Sequence, residues 1–251
     1  MRRRTLTDLA NNPDLISGVY NYCDRWCERC PLTSRCLVYA TEQEDNEQIE
    51  NHDRRNEAFW QKLGVIFQET RELIAEWAGE TGVDLNGHSD EDEVHRHRKR
   101  QLVDNHPLTR AGKKYANAAS DWFRELDQTI DLERESSDGL EDAREVIQWY
   151  QYQIAVKTMR ALSGRKEELD DGSELAHLPK DSDGSAKVAL IGIDRSVAAW
   201  RLMQLSSPER EVSIVPLILQ LERLRHRLEK SFPDARGFVR PGFDQVQSAP
   251  S

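Results

Sequence analysis

The chain has 251 residues, of which 37% are hydrophobic and 32% charged, and its formal net charge is -10. That length accommodates a substantial buried core, while the acidic balance argues against nonspecific nucleic-acid binding, which relies on Lys and Arg neutralising phosphates. Met1-Arg2-Arg3-Arg4 carries the charge of a signal-peptide start, but Thr5-Leu6-Thr7-Asp8 and Asn11-Asn12-Pro13-Asp14 interrupt any apolar run behind it. No segment is long and apolar enough to span a bilayer, so a cytoplasmic setting with reduced thiols is expected.

The first informative stretch runs from Tyr20 to Cys36 and contains all four cysteines, spaced C-x3-C-x2-C-x5-C. Reduced thiols crowded in this way bind metal more often than they pair, and such sets hold iron–sulfur clusters or zinc. Structural zinc sites commonly use two C-x2-C pairs separated by a longer excursion; here Cys27 and Cys30 form the one such pair. Pro31 directly after Cys30 matches the Cys-Pro step of iron–sulfur loops. Arg25, Arg29 and Arg35 are placed to offset the negative charge of a thiolate-ligated centre, and Tyr20, Tyr22 and Trp26 to shield it from water. The expected cofactor is a 4Fe-4S cluster on Cys23, Cys27, Cys30 and Cys36, with zinc as the alternative.

Beyond this loop the pattern is helical. Phe59, Trp60, Leu63, Ile66, Phe67, Leu73, Ile74 and Trp77 recur at three- and four-residue steps, the signature of an amphipathic helix. The acidic run Thr41 to Asp53 reads as its solvated first turns, and Gly79 and Gly82 as its end. Gly82 to Asn105 reads as a polar, mobile connection. A helix follows Pro107 with Tyr115, Ala119, Trp122, Phe123, Leu126 and Ile130 on one face. Glu135 to Gly139 breaks the pattern, with Asp138 placed to cap a helix from Leu140 to Leu162. Gly164 to Gly184 reads as a linker, and Asp183 as the cap of a further helix through Met203. Ser207-Pro208 starts the last helix, with Pro216 as a possible kink. The predicted fold is all-α: a cysteine segment (1–40) packed on one helical bundle (41–232), followed by a loosely ordered tail (233–251).

The segment Cys27-Glu28-Arg29-Cys30-Pro31-Leu32-Thr33-Ser34-Arg35-Cys36 reads C-x2-C-P-L-x3-C. It resembles the cluster loop of the endonuclease III and adenine-glycosylase family, helical DNA repair enzymes with C-x6-C-x2-C-x5-C around a 4Fe-4S cluster. The last three cysteines keep that spacing and the first is three residues closer. The resemblance covers Cys23 to Cys36 alone, so it implies a cluster type rather than glycosylase activity. Cys23-x3-Cys27-x2-Cys30 is formally also the signature of radical S-adenosylmethionine enzymes. Their β/α barrel needs alternating strands that this chain lacks, and Cys36 is at hand to close the fourth position.

Other candidate sites are weaker. The di-iron pattern Glu-x-x-His occurs at Glu174-Leu175-Ala176-His177, in a polar linker. His88, His95, His97 and His106 lie among acids in a stretch that reads as solvated surface. Lys157 and Asp194 interrupt apolar helical runs and are candidates for a buried charge pair, functional or register-fixing. Lys187, Asp194 and Arg201 recur at seven-residue steps along one stripe. Gly184-Ser185-Ala186 suits an anion or a close helix crossing. The expected function is that of an iron–sulfur protein in electron transfer or redox sensing, working with a protein partner and without independent catalytic activity. The alternatives are a zinc- or cluster-stapled interaction module and a nucleic-acid-processing factor.

Overall fold

The structure, a computed structural model, describes residues 9, 12–46, 57–82, 90–129, 138–170 and 180–244. Its regular elements are α1 (Leu37–Asn46), α2 (Glu57–Thr81), α3 (Asp90–Asp104), α4 (Pro107–Thr129), α5 (Asp138–Asp170), α6 (Asp181–Ser206) and α7 (Glu211–Ser231), with short 3-10 turns between. The described residues contain no strand, and the all-α class holds. None of these helices is long and apolar enough to cross a membrane.

The single bundle expected from the sequence divides into two compact units. One comprises Met1–Ile16 and Pro31–Arg98, the other Ser17–Cys30 and Lys99–Ser251. The physical reason lies in the core: its main cluster of buried side chains draws every member from the second unit.

In that second unit α4 to α7 form an up-down-up-down four-helix bundle. Arg144 lies over the Phe123 ring and Ser120 meets Tyr152, so α4 and α5 run antiparallel. Arg195 reaches Tyr150 while Arg160 pairs with Asp181, which reverses α6 against α5. Arg201 pairs with Glu222 and Arg225 with Asp194, reversing α7 against α6. The Trp122 indole N–H donates to Ser213 across α4 and α7 and closes the ring. Trp200, Tyr115, Tyr150, Ile154, Leu190, Ile193, Ile214 and Leu221 fill the centre. There the Trp200 N–H donates to the Tyr115 hydroxyl at 2.9 Å, and burial pushes that phenol up to about 12.

Several element boundaries differ from the sequence expectation. The polar stretch expected to be a mobile connection is helix α3 from Asp90 onward. Four acids fill its first turn, which suits the helix dipole at that end, while its last turn carries Asp104 and no base, and of its apolar residues Val103 is buried and Val94 and Leu102 are exposed. The break at Glu135 to Gly139 leaves Asp138 as the first residue of α5 rather than a described cap, with 130–137 outside the described residues. Helix α5 continues past Leu162 to Asp170, and Gly164 within it lies beside the Ser182 backbone. Helix α6 starts at Asp181, ahead of the cap expected at Asp183, so the linker shrinks to a stretch outside the described residues. Ser207 makes no side-chain cap; a 3-10 turn, Pro208–Arg210, precedes α7, and Pro216 sits inside that helix.

The tail expected to be loose from residue 233 is tied down as far as Asp244. Phe232, Ala235 and Phe238 are buried, Lys187 donates to the Phe238 carbonyl and pairs with Asp244 at 2.7 Å, and Arg240 holds the same carboxylate at 2.9 Å. In the first unit, α2 spans its predicted stripe and ends at Gly82, whose φ of 72° suits a residue without Cβ. Phe67 and Ile74 are exposed on α2 and Ala78 is buried. The side chains of Phe59, Trp60, Leu63, Ile66, Leu73 and Trp77 lie outside the described residues, as does the run 47–56.

Candidate metal centre

The cysteines sit at the ends of three successive 3-10 turns. Cys23 follows Val19–Tyr22, Cys27 and Cys30 bound the turn Cys27–Arg29, and Cys36 follows Thr33–Arg35. Cys23, Cys30 and Cys36 each have extended backbone, so a turn closes and its terminal thiol is set off from it. All four cysteines are half-buried and outside any disulfide, and the Cys23 thiol donates to the Tyr20 carbonyl at 3.4 Å. Cys23, Cys27 and Cys30 belong to the bundle unit and Cys36 to the other. Among the described residues no three or more His, Cys, Asp or Glu side chains are gathered as a metal site.

The part of the loop in the bundle unit is anchored chiefly through Asp24. Its carbonyl accepts the Trp149 indole N–H at 3.0 Å and the Gln153 amide at 2.9 Å. One carboxylate oxygen accepts the Tyr150 hydroxyl and Arg195, the latter at 3.0 Å, and the other accepts the Trp26 backbone N–H at 3.2 Å. Burial pushes the Tyr150 phenol well above its ordinary range, Asp24 adds to the shift, and Arg195 opposes it.

Arg25 follows at a φ of 60°, the left-handed region that L residues other than Asn and Asp rarely adopt. Pinned Asp24 lies on one side of this bend. On the other is Trp26, 9% exposed and stacked on Trp149 with ring centroids 5.0 Å apart. Arg29 lies 4.1 Å over the Trp26 ring and pairs with Asp142 and Glu145 of α5. Tyr22 packs against Phe238, and Gly184 of α6 leaves room for both rings, which a Cβ there would strike. That contact, with Asp181 and Asp183 in the first turn of α6, makes close packing rather than anion binding the role of Gly184-Ser185-Ala186.

The charges read from the sequence are distributed differently from expectation. Lys157 and Asp194 are not paired. Asp194 binds Arg236 at 2.5 Å and Arg225 at 3.4 Å, so it fixes α6 against α7 and the tail. Lys187 and Arg201, on the same stripe, pair with Asp244 and Glu222. Lys157 is 7% exposed and has no hydrogen bond or ion pair among the described residues. Burial pushes its ammonium below the ordinary range, and the charge of Cys23 opposes that. Arg35 donates to the Asp14 carbonyl, and Arg25 is exposed.

His95 and His97 are exposed on α3, whereas the His106 ring nitrogen accepts the Leu108 N–H and caps α4. Burial, with Arg227 adding, holds the His106 imidazole below its usual range. His88 and the pair Glu174 and His177 lie outside the described residues.

Sequence reasoning missed the anchor. The cysteine spacing by itself assigns no role to Asp24. A lone carboxylate inside a ligand loop was the available signal. No family model matches the chain, and neither does any curated protein or any solved structure.

Proposed function

We propose that this is an iron–sulfur protein in which Cys23, Cys27, Cys30 and Cys36 hold one 4Fe-4S cluster. It serves electron transfer or redox sensing in the cytoplasm with a protein partner. The observation that supports this most is that four half-buried cysteines, none in a disulfide, stand at the ends of successive 3-10 turns in one short loop. The donor set fits the group: four soft sulfur ligands at uneven intervals wrap a cubane, and metal binding completes the folding of such a loop. Bound there, the cluster supplies one-electron chemistry. The chain's own residues do the rest: Asp24 fixes the loop to α5 and α6, while Trp26 and Tyr22 keep water off its inner side.

A second reading, a zinc- or cluster-stapled module without redox chemistry, draws on the membership of Trp26 in the bundle core. Anaerobic purification followed by iron, sulfide and zinc analysis separates the two. About four irons and four sulfides per chain, with a visible band that bleaches under dithionite, is the expected result. The same iron without bleaching favours the staple, and one zinc in a colourless protein ends the redox reading.

A further inference from the structure

We propose that the end of α3 and the outer stripe of α4 form a docking surface for the phosphate backbone of a nucleic-acid duplex, bound without regard to sequence. The inference goes beyond the cysteine site and does not depend on it, since that loop is held by α5 and α6.

The net charge of -10 conceals a segregation. Between Lys99 and Ser120 there are five Lys and Arg residues and one acid, Asp104. Rigid elements present them. Tyr115, Ala119 and Trp122 on one side of α4 are buried in the bundle, and Gly112 lies so near α5 that a Cβ would come within 3.1 Å of the Ala155 backbone. On the opposite side Arg110, Lys114, Asn117 and Asp121 are exposed and recur at three- and four-residue steps. Together with Lys113 and the small side chains of Ala111 and Ala118 they line an open groove of about 750 Å³.

The end of α3 is fixed to the same helix. The His106 ring accepts the Leu108 N–H across the turn, and Asp104 pairs with Lys113 at 3.0 Å. Arg100 stands one helical turn before Asp104, so it shares the α3 face that meets α4. Elsewhere, surface guanidiniums are engaged by carboxylates: Arg29, Arg124, Arg160, Arg201, Arg225 and Arg236 each hold one. Arg100, Arg110 and Lys114 are exposed and have no ion pair among the described residues. Cations collected on one surface without counter-charges repel one another, and a polyanion relieves that repulsion.

The side chains along the groove select the polyanion. Protein partners are anchored by buried aromatic and large apolar side chains, and single strands by aromatic rings on which bases stack. The described lining has neither. Contacts to a phosphate backbone need only Arg, Lys and amide donors such as Asn117. At 1.5 Å per residue the stripe from Pro107 to Asp121 is about 20 Å long, enough to follow several phosphates of a duplex that carries one charge per ~1.7 Å.

The test is fluorescence anisotropy of a labelled DNA duplex of arbitrary sequence, titrated with the full chain as purified at salt concentrations from about 20 to 150 mM. The logarithm of the affinity should fall linearly with that of the salt concentration, with a slope of about -3 for three to four phosphate contacts. Arg110→Gln, Lys114→Gln and Arg100→Gln should each weaken binding roughly tenfold at the lowest salt and reduce the slope by about 1. Asp121→Asn, which takes a carboxylate out of the groove, should strengthen it. Arg201→Gln makes the same charge change on α6 and should leave the slope unaltered.

Absence of duplex binding at the lowest salt overturns the proposal. So does an equal loss in Arg201→Gln, because net charge and not this surface would then be at work. Tighter binding of a single strand than of the duplex overturns it as well. Binding of poly-glutamate at least as tight as that of the duplex would assign the surface to an acidic protein instead.

Discussion

Asp24 and Arg25 together set the path of the cysteine loop, one through hydrogen bonds and the other through an unfavourable backbone angle. Asp24→Ala strips the carboxylate from Tyr150, Arg195 and the Trp26 N–H but leaves the carbonyl bonds to Trp149 and Gln153 in place. Arg195 is more than half exposed, so water recovers much of its loss, and the cost falls on the Tyr150 hydroxyl, on a side chain that is 1% exposed, and on the Trp26 amide. A destabilisation of about 1–2 kcal/mol is expected in urea unfolding. Tyr150→Phe should cost less, and the double variant should fall short of the sum because both changes remove one shared bond. Arg25 tests the other half of the device. Glycine tolerates the left-handed bend but loses more entropy on folding, so Arg25→Gly should leave stability within about 1 kcal/mol of wild type or raise it. Arg25→Val, β-branched at a φ of 60°, should lower it clearly. Equal losses in both variants would mean that the arginine side chain, and not the bend, is what matters.

At the scale of elements, helices with an apolar stripe were legible and those without one were not. Tyr115, Ala119, Trp122, Phe123 and Leu126 announced the buried face of α4, and that face is the one that packs. Helix α3 was invisible because it has only three apolar residues, Val94, Leu102 and Val103, and polar composition reads as loop. The ends of α5 and α6 were misjudged for a related reason. Gly164 and Gly184 look like linker residues in one dimension, and only the packed structure shows that both lie inside helices and that Gly184 admits the Tyr22 and Phe238 rings. The ordered tail depends on one carboxylate. Burial would raise the Asp244 carboxyl, but Arg240 and Lys187 hold it well below its usual value of 3.8. A carboxyl depressed in the folded state contributes stability above its unfolded pKa and loses it as the pH falls towards the folded one. Wild type should therefore exceed Asp244→Asn by about 2 kcal/mol near neutrality, with a constant gap above the usual carboxylate range that narrows as acid is added below it. A gap independent of pH down to strong acid would show that packing of the tail, and not this charge, ties it.

For the whole molecule, the fold class was readable while the division into units was not, because hydrophobic periodicity identifies faces without saying which faces meet. The cysteine spacing was equally plain, but it could not reveal that the stretch Ser17–Cys30 is part of the bundle unit, with Trp26 among its core residues. That placement has a thermodynamic consequence. A ligand that binds the folded loop and not the unfolded chain stabilises everything that unfolds with it. Since Trp26 and the Asp24 bonds go when the bundle goes, loading the cysteines should raise the melting temperature of the bundle and not merely protect a local turn. Metal held at about a hundred times its dissociation constant adds about 2.7 kcal/mol, which for a chain of this size corresponds to a rise of roughly 5–10 °C. Calorimetry of loaded and metal-free protein measures it, and Cys30→Ser should bring the two transitions together. If the loaded protein instead melts with the metal-free one while the loop amides alone gain protection from hydrogen exchange, the loop opens independently of the bundle. The Asp24 anchor would then be too weak to transmit binding into the core.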